Sequence, residues 1–245
     1  MDGGPRVAIV TGGSSGIGLG VGRLLAARGY DVVRAARTEA PLRAAATEAG
    51  ARWVAADSAD PAAAARVVAE AGRVDLLVHA AGVMAGTFVR TETVDTFAAV
   101  VRANLTSAFV MAHAALPAMG PGGRMIFLSS TSAHAPQPGR SAYSASKAGL
   151  NAFAAALGRE VERDGIAVHV VTTGPVATPM LEEVRFPMRT LGVDEVAEAV
   201  AWLDTQPPNL VLPELRLTSV DQGPFAPEPY VPAAARELGR TELPD

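Results

Sequence analysis

The chain of 245 residues is long enough to bury a substantial core and short enough to be one α/β domain. A hydrophobic fraction of 49% against 19% charged residues excludes a disordered protein, and a net charge of −4 offers no basic field for nucleic acid or anionic lipid. With no cysteine there is neither a disulfide nor a thiolate metal site, which suits a reducing compartment.

No charged-then-apolar leader precedes the first strand-like segment, "RVAIVTG" (6–12), and no apolar run is read as reaching the ~18 residues of a membrane helix. The expectation is a cytoplasmic protein with no membrane partner. A helical segment (16–29) follows the first strand, then "YDVVRAA" (30–36), a helix over 40–49, a short strand in "ARWVAAD" (51–57) and a helix over 61–71. The second half continues with "RVDLLVHAAG" (73–82), a long helix over 93–117, "GRMIFLSS" (123–130), a helix over 142–163, "AVHVVTTG" (167–174), a helix over 193–205 and "ELRLTSV" (214–220). Near-continuous apolar runs are the mark of parallel strands covered on both faces, and their alternation with helices predicts a doubly wound parallel sheet of about seven strands. Residues 1–222 are read as one domain. The proline-dense end, 223–245, reads as an extended tail or as a segment laid over a neighbouring subunit.

The first strand runs into "VTGGSSGIG" (10–18), which opens the first helix. Gly12 permits the tight turn, Gly16 lets backbone approach a pyrophosphate, and Gly18 allows close helix–sheet packing. Free N–H groups and the helix dipole then face the phosphates. At the first βα turn of such a series the cluster signals a nucleotide site. The second strand ends without the acidic residue that binds NAD ribose hydroxyls; Ala36 stands there, and Arg37 follows. A guanidinium suits a 2′-phosphate, so NADP(H) is favoured, with NAD(H) as the other possibility. Asp57 is placed to accept a bond from the adenine amino group.

Lys147, in "SAYSASKAGL" (141–150), is the only lysine; every other basic residue is arginine. Tyr143 stands four residues earlier, on the same helix face at about 5–6 Å. A cation at about 4 Å would favour phenolate by about 4 kcal/mol at an effective dielectric of ~20. A compact ammonium can also bond a ribose, as a planar guanidinium cannot. Ser130 ends the strand before this helix, at the sheet edge where ligands bind, and can bond a substrate oxygen. Asn104 lies within a long helix, and its side chain is read as holding a water that links Lys147 to solvent.

These motifs, "TGGSSGIG", "ANL" at Asn104, "SS" at 129–130 and "YSASK" at 143–147, resemble the short-chain dehydrogenase/reductase family in its branch of about 250 residues. The likeness runs from about residue 6 to 222. It implies a single-domain Rossmann fold and hydride transfer between the nicotinamide and a carbonyl carbon. In that scheme Tyr143 is the acid/base, Ser130 orients substrate, Lys147 lowers the tyrosine pKa and binds the ribose, and Asn104 supports a water relay. Further cofactor contacts implied are Thr11, Ser14, Ser15, Ile17, Ser58, Ala81, Gly82, the backbone at Val176 and the hydroxyl of Thr178. Substrate contacts fall on Ser132 and His134 and, within a lid (179–192), on Met180, Leu181 and Phe186; the lid also carries Val184, Met188, Arg185 and Arg189. No metal is expected; His113, His134 and His169 lack ligand spacing.

Two positions depart from the family pattern. His79 replaces the usual asparagine of "NAAG", which predicts altered hydrogen bonding with catalysis intact. Thr173-Gly174 replaces Pro-Gly, which predicts a looser loop over the nicotinamide. The resemblance also implies a homo-oligomer built on the Tyr143 helix. The leading expectation is an NADP(H)-dependent carbonyl reductase or alcohol dehydrogenase. The alternatives are a dedicated biosynthetic ketoreductase and a dinucleotide-binding sensor or scaffold without turnover.

Overall fold

The computed structural model describes residues 4–181 and 189–219. Its strands are β1 (Val7–Thr11), β2 (Asp31–Ala36), β3 (Arg52–Ala55), β4 (Leu76–His79), β5 (Arg124–Ser130), β6 (Ala167–Thr173) and β7 (Glu214–Leu217). All pair in parallel in one sheet of order β3-β2-β1-β4-β5-β6-β7. The direction of winding reverses between β1 and β4, which opens a crevice beyond the carboxyl ends of those strands. Register brings Thr11 alongside both Ala35 and His79 there, and Ser130 alongside Thr173.

The helices are α1 (Gly16–Ala27), α2 (Glu39–Glu48), α3 (Pro61–Ala71), α4 (Val94–Val101), α5 (Ser107–Ala115), α6 (Ser141–Glu160) and α7 (Val193–Asp204). Because alternate strand residues face opposite ways, the sheet builds two cores. Ile9, Leu77, Met125 and Phe127 pack with Val67 of α3, Met111 of α5 and Leu150 of α6. Val10, Val78, Ile126 and Val171 face the other way, onto Val21 and Leu25 of α1 and Val196 and Val200 of α7. Local chemistry sets several helix starts. Asp60 accepts from the N–H of Ala62 ahead of Pro61, Thr93 accepts from that of Thr96, and Glu195 reaches back to the N–H of Gly192.

The predicted helix over 93–117 is not continuous. Between α4 and α5, Arg102–Thr106 form a π-helical turn with Asn104 in it, and Leu116–Ala118 close with a 3-10 turn. The same stretch corrects a second expectation, since Val94–Ala118 is long and apolar enough by composition to cross a membrane. Here α4 packs on α6 and α5 on α3, and the buried Asn104 and Ser107 are hydrogen-bonded, as in a core helix of a folded domain. The segments 182–188 and 220–245, and with them the tail, lie outside the described residues.

Candidate active site

The glycine loop fits its role through contacts that a side chain would destroy. Gly12 has φ +65°, and a Cβ there would lie 2.8 Å from the Ala80 carbonyl oxygen. Gly16 has φ +50° and faces Thr178, whose methyl would be 3.2 Å from an added Cβ. At Gly18 a Cβ would meet the Gly12 carbonyl at 2.4 Å, so α1 can pack this close only without one. Ser14 and Ser15 sit on the loop, and Ile17, in the first turn of α1, packs against the core. On the far side Val176 bridges Leu191, and Ala177 donates to the Leu191 carbonyl at 2.9 Å. The Gly174 N–H donates to Leu217 at 2.8 Å. With Thr173-Gly174 in place of Pro-Gly, this loop is held by backbone bonds to Leu191 and Leu217.

Opposite the loop lies a buried cluster. Tyr143 is buried on α6, and the Ser130 side chain lies close enough to its hydroxyl to lower its pKa. The Ser130 oxygen accepts from the N–H of Ser132, which fixes its direction. Burial pushes the Tyr143 pKa up, opposed by the Ser130 side chain and the Arg140 charge. Lys147 Nζ lies 5.9 Å from the centroid of the Tyr143 ring and donates to the Leu128 carbonyl at 2.8 Å. The ammonium is thus tethered to β5 while lying over the Tyr143 ring. Burial lowers the pKa of Lys147 itself to about 8.

Asn104 is fully buried, and its amide binds backbone as a strand would. Oδ1 accepts from the Val83 N–H at 2.7 Å, and Nδ2 donates to the Val83 carbonyl at 3.0 Å and to Ser146 Oγ at 2.9 Å. Ser146 in turn donates to the Tyr143 carbonyl at 2.7 Å. Both amide hydrogens are thus committed, and the side chain braces the 81–83 loop against α6. At Gly82 a Cβ would stand 3.0 Å from Asn104 Oδ1 and 3.6 Å from Lys147 Nζ, which leaves a backbone-lined recess between Ala81 and the lysine.

His79 sits under this recess at the end of β4. Thr11 Oγ1 accepts from the Ala81 N–H at 3.1 Å and so donates to His79 Nδ1 at 3.0 Å. Ser107 Oγ donates to the Ala103 carbonyl at 2.6 Å and so accepts from His79 Nε2 at 3.0 Å. Every hydrogen in the chain is accounted for by one neutral tautomer. Burial, and then the charge of Lys147, push the His79 pKa down to about 3. The substitution thus alters the hydrogen bonding as expected, and it joins the loop at Ala81 to the π turn that carries Asn104.

The outlying residues fall into place around this centre. Arg37 is exposed and bonds to no described residue, while Asp57 is held by Arg102 at 2.7 Å and accepts from the N–H of Ala59 at 3.0 Å, beside the buried Ser58. His134 turns to β7, 2.6 Å from Glu214 Oε1, and does not approach Tyr143 by any bond. His113 stacks on Phe109. Met180 and Leu181 occupy a 3-10 turn after Thr178, and Arg189 is exposed. Val184, Arg185, Phe186 and Met188 lie outside the described residues. Sequence reasoning missed Ser107, Ser146 and Arg34. The small polar residue three places after Tyr143 was the available signal for Ser146.

A glycine loop at the switch point of a parallel sheet, with a half-buried Ser130 beside the buried Tyr143 and Lys147, defines a dinucleotide-dependent dehydrogenase. The chain belongs to the short chain dehydrogenase family, whose model matches residues 6–188. It is 32% identical over 224 residues to the acetoacetyl-CoA reductase of Cupriavidus necator, covering 82% of this chain and 91% of that one. It is also 32% identical over 217 residues to the 3-oxoacyl-acyl-carrier-protein reductase FabG of Salmonella typhimurium, covering 81% and 89%. A short chain dehydrogenase from Burkholderia cenocepacia in complex with NADP superposes with a TM-score of 0.80 at 31% identity, over 87% of this chain and 95% of that one.

Proposed function

We propose that the protein is an NADP(H)-dependent oxidoreductase of the cytoplasm that interconverts a carbonyl and an alcohol. The observation that carries this reading is the buried Tyr143 with the Ser130 side chain beside its hydroxyl, Lys147 over its ring and Asn104 buried nearby, at the carboxyl edge of the sheet. The glycine cradle at Gly12, Gly16 and Gly18 fits a pyrophosphate, Arg37 is free to meet a 2′-phosphate, and Ala81, Gly82, Val176 and Thr178 frame the nicotinamide end. The NADP complex of the Burkholderia relative supports that choice of cofactor, and the names of the two reductases point to 3-oxoacyl thioesters as first substrates.

When bound, NADPH supplies a hydride to the carbonyl carbon. The carbonyl π pair moves to oxygen, and Tyr143 gives that oxygen its proton while Ser130 holds it in line. Burial, which keeps Tyr143 protonated at neutral pH, suits it to act as the acid in the reductive direction. Lys147 bonds the ribose and places a positive charge behind the phenolate left on Tyr143, which is where a buried ammonium lowers the cost of that anion. Asn104 keeps the 81–83 wall in register with α6. The exposed apolar residues Val94 and Phe97 of α4 and Phe109 of α5 support a homo-oligomer through this face.

The test is oxidation of NADPH and of NADH by the protein with a panel of 3-oxoacyl thioesters, ketones and aldehydes. The reading predicts turnover with NADPH on at least one class and a clear preference over NADH. Binding of NADPH without turnover on any class would favour a sensor instead.

A further inference from the structure

Among the described residues, the largest side chain buried completely is that of Arg34, in the middle of β2. Alternation along β2 turns it towards α1, under the glycine loop. Its Nη1 donates to the Gly13 carbonyl at 3.1 Å and to the Leu19 carbonyl at 3.3 Å. The fit is close on all sides. A Cβ at Gly22 would lie 2.8 Å from the guanidinium carbon, and one at Gly13 would lie 3.0 Å from the Arg34 Cβ. Nε and Nη2 are buried with no hydrogen-bond partner among the described residues. No carboxylate among the described residues bonds the group. Glu48, the acidic residue whose charge it feels, is exposed and already paired with Arg23 at 2.6 Å.

A buried cation without a counter-ion is costly, and an apolar side chain of similar volume would be more stable in its place. Loop geometry shows what the charge can act on. The peptide joining Gly13 to Ser14 is planar and trans, so a carbonyl drawn inward to Arg34 turns the Ser14 N–H to the outer face of the loop. Hydrogen bonding to the cation polarises that peptide and strengthens its N–H as a donor. Neither Ser14 nor Ser15 spends its N–H on a described residue. Both stand beside the amino end of α1, whose dipole has the same sign.

We propose that Arg34 is the buried counter-charge of the bound dinucleotide's phosphates, a positioning residue that tightens cofactor binding through the Gly13–Ser14 peptide while destabilising the protein without cofactor. The proposal rests on the cofactor reading above. The phosphate concerned is either the pyrophosphate or the 2′-phosphate, and ligand choice separates the two.

The experiment compares wild type with Arg34→Met by calorimetric titration with NADP⁺, NAD⁺ and adenosine 2′,5′-bisphosphate, and by denaturation without ligand. The expected result is weaker NADP⁺ binding by about fivefold or more, with an unfolding midpoint without ligand that is unchanged or raised. An equal loss for NAD⁺ assigns the effect to the pyrophosphate, and a loss confined to NADP⁺ and the bisphosphate assigns it to the 2′-phosphate. Arg34→Lys, which keeps the charge, should recover most of the affinity. Unchanged NADP⁺ affinity in Arg34→Met, or a lowered midpoint with affinity lost equally in Arg34→Lys, would overturn the proposal in favour of a plain brace. If Arg34→Met does not fold, Arg34→Gln carries the same test, with wild-type affinity as the contrary result. Wild type that binds no NADP⁺ would instead sink the cofactor reading itself.

Discussion

Replacing His79 by leucine removes the centre of the hydrogen-bond chain from Ala81 to Ala103 while keeping apolar bulk next to Phe127. At pH 7 the Thr11 hydroxyl loses its acceptor in a buried site, and the Ser107 oxygen loses a donor but keeps its bond to Ala103. One stranded donor and one lost bond come to about 2 kcal/mol of stability. The pH dependence is the sharper signature. The folded-state pKa of His79 is pushed down to about 3, so as pH falls below the ordinary histidine value of about 6.5 only the unfolded chain takes the proton. The stability held through a neutral His79 is therefore complete above pH ~6.5 and is lost on the way down, by about 1.4 kcal/mol per pH unit. Leucine carries no such term. Urea melts of both proteins at pH 7 and pH 5 should show a deficit of about 2 kcal/mol that shrinks by about 2 kcal/mol at the lower pH. His169 also has a lowered pKa, but it is present in both proteins and cancels in the comparison. A deficit that stays the same or widens at pH 5 would refute the neutral, fully paired His79.

Asn104→Ala strands both backbone groups of Val83, and should lower stability by about 2–4 kcal/mol and turnover with it; an unchanged denaturation midpoint would contradict the brace. Gly82→Ala places a methyl 3.0 Å from Asn104 Oδ1 and 3.6 Å from Lys147 Nζ, and should raise the KM for NADPH by about tenfold and lower the midpoint, because Oδ1 is committed to Val83. Lys147→Arg keeps a charge but cannot fit a compact ammonium's place at the Leu128 carbonyl, so kcat should fall by at least about tenfold; normal turnover would remove the need for lysine. Lys147 titrates at about 8 when folded and near 10.5 when unfolded, so the cost of burying its charge is full below pH 8 and fades as pH rises. Wild type should therefore gain stability relative to Lys147→Met between about pH 8 and 10, as read from paired melts.

How much the sequence disclosed depended on whether a feature was local. Tyr143 and Lys147 could be paired from their spacing on a helix, and the glycine loop from its place after β1, because both follow from one element's geometry. The doubly wound sheet followed from alternating apolar runs for the same reason. The π turn at Asn104 could not be read, since it exists to bring an amide onto the backbone of Val83, which is remote in sequence. Arg34 does not stand out within "YDVVRAA" (30–36), and only the close approach of Gly13 and Gly22 reveals that it is buried. The distance from Lys147 to Tyr143 was set by the Leu128 carbonyl on β5, a partner that helix periodicity does not name.

The central claim, that Tyr143 is the proton donor of a carbonyl reductase, is tested most directly by Tyr143→Phe. The measurement is NADPH consumption by the purified variant on the best substrate of the wild type, with NADPH affinity determined alongside. The account predicts a fall in kcat of about 10²–10⁴-fold with cofactor binding retained. Turnover within a few-fold of wild type would contradict it.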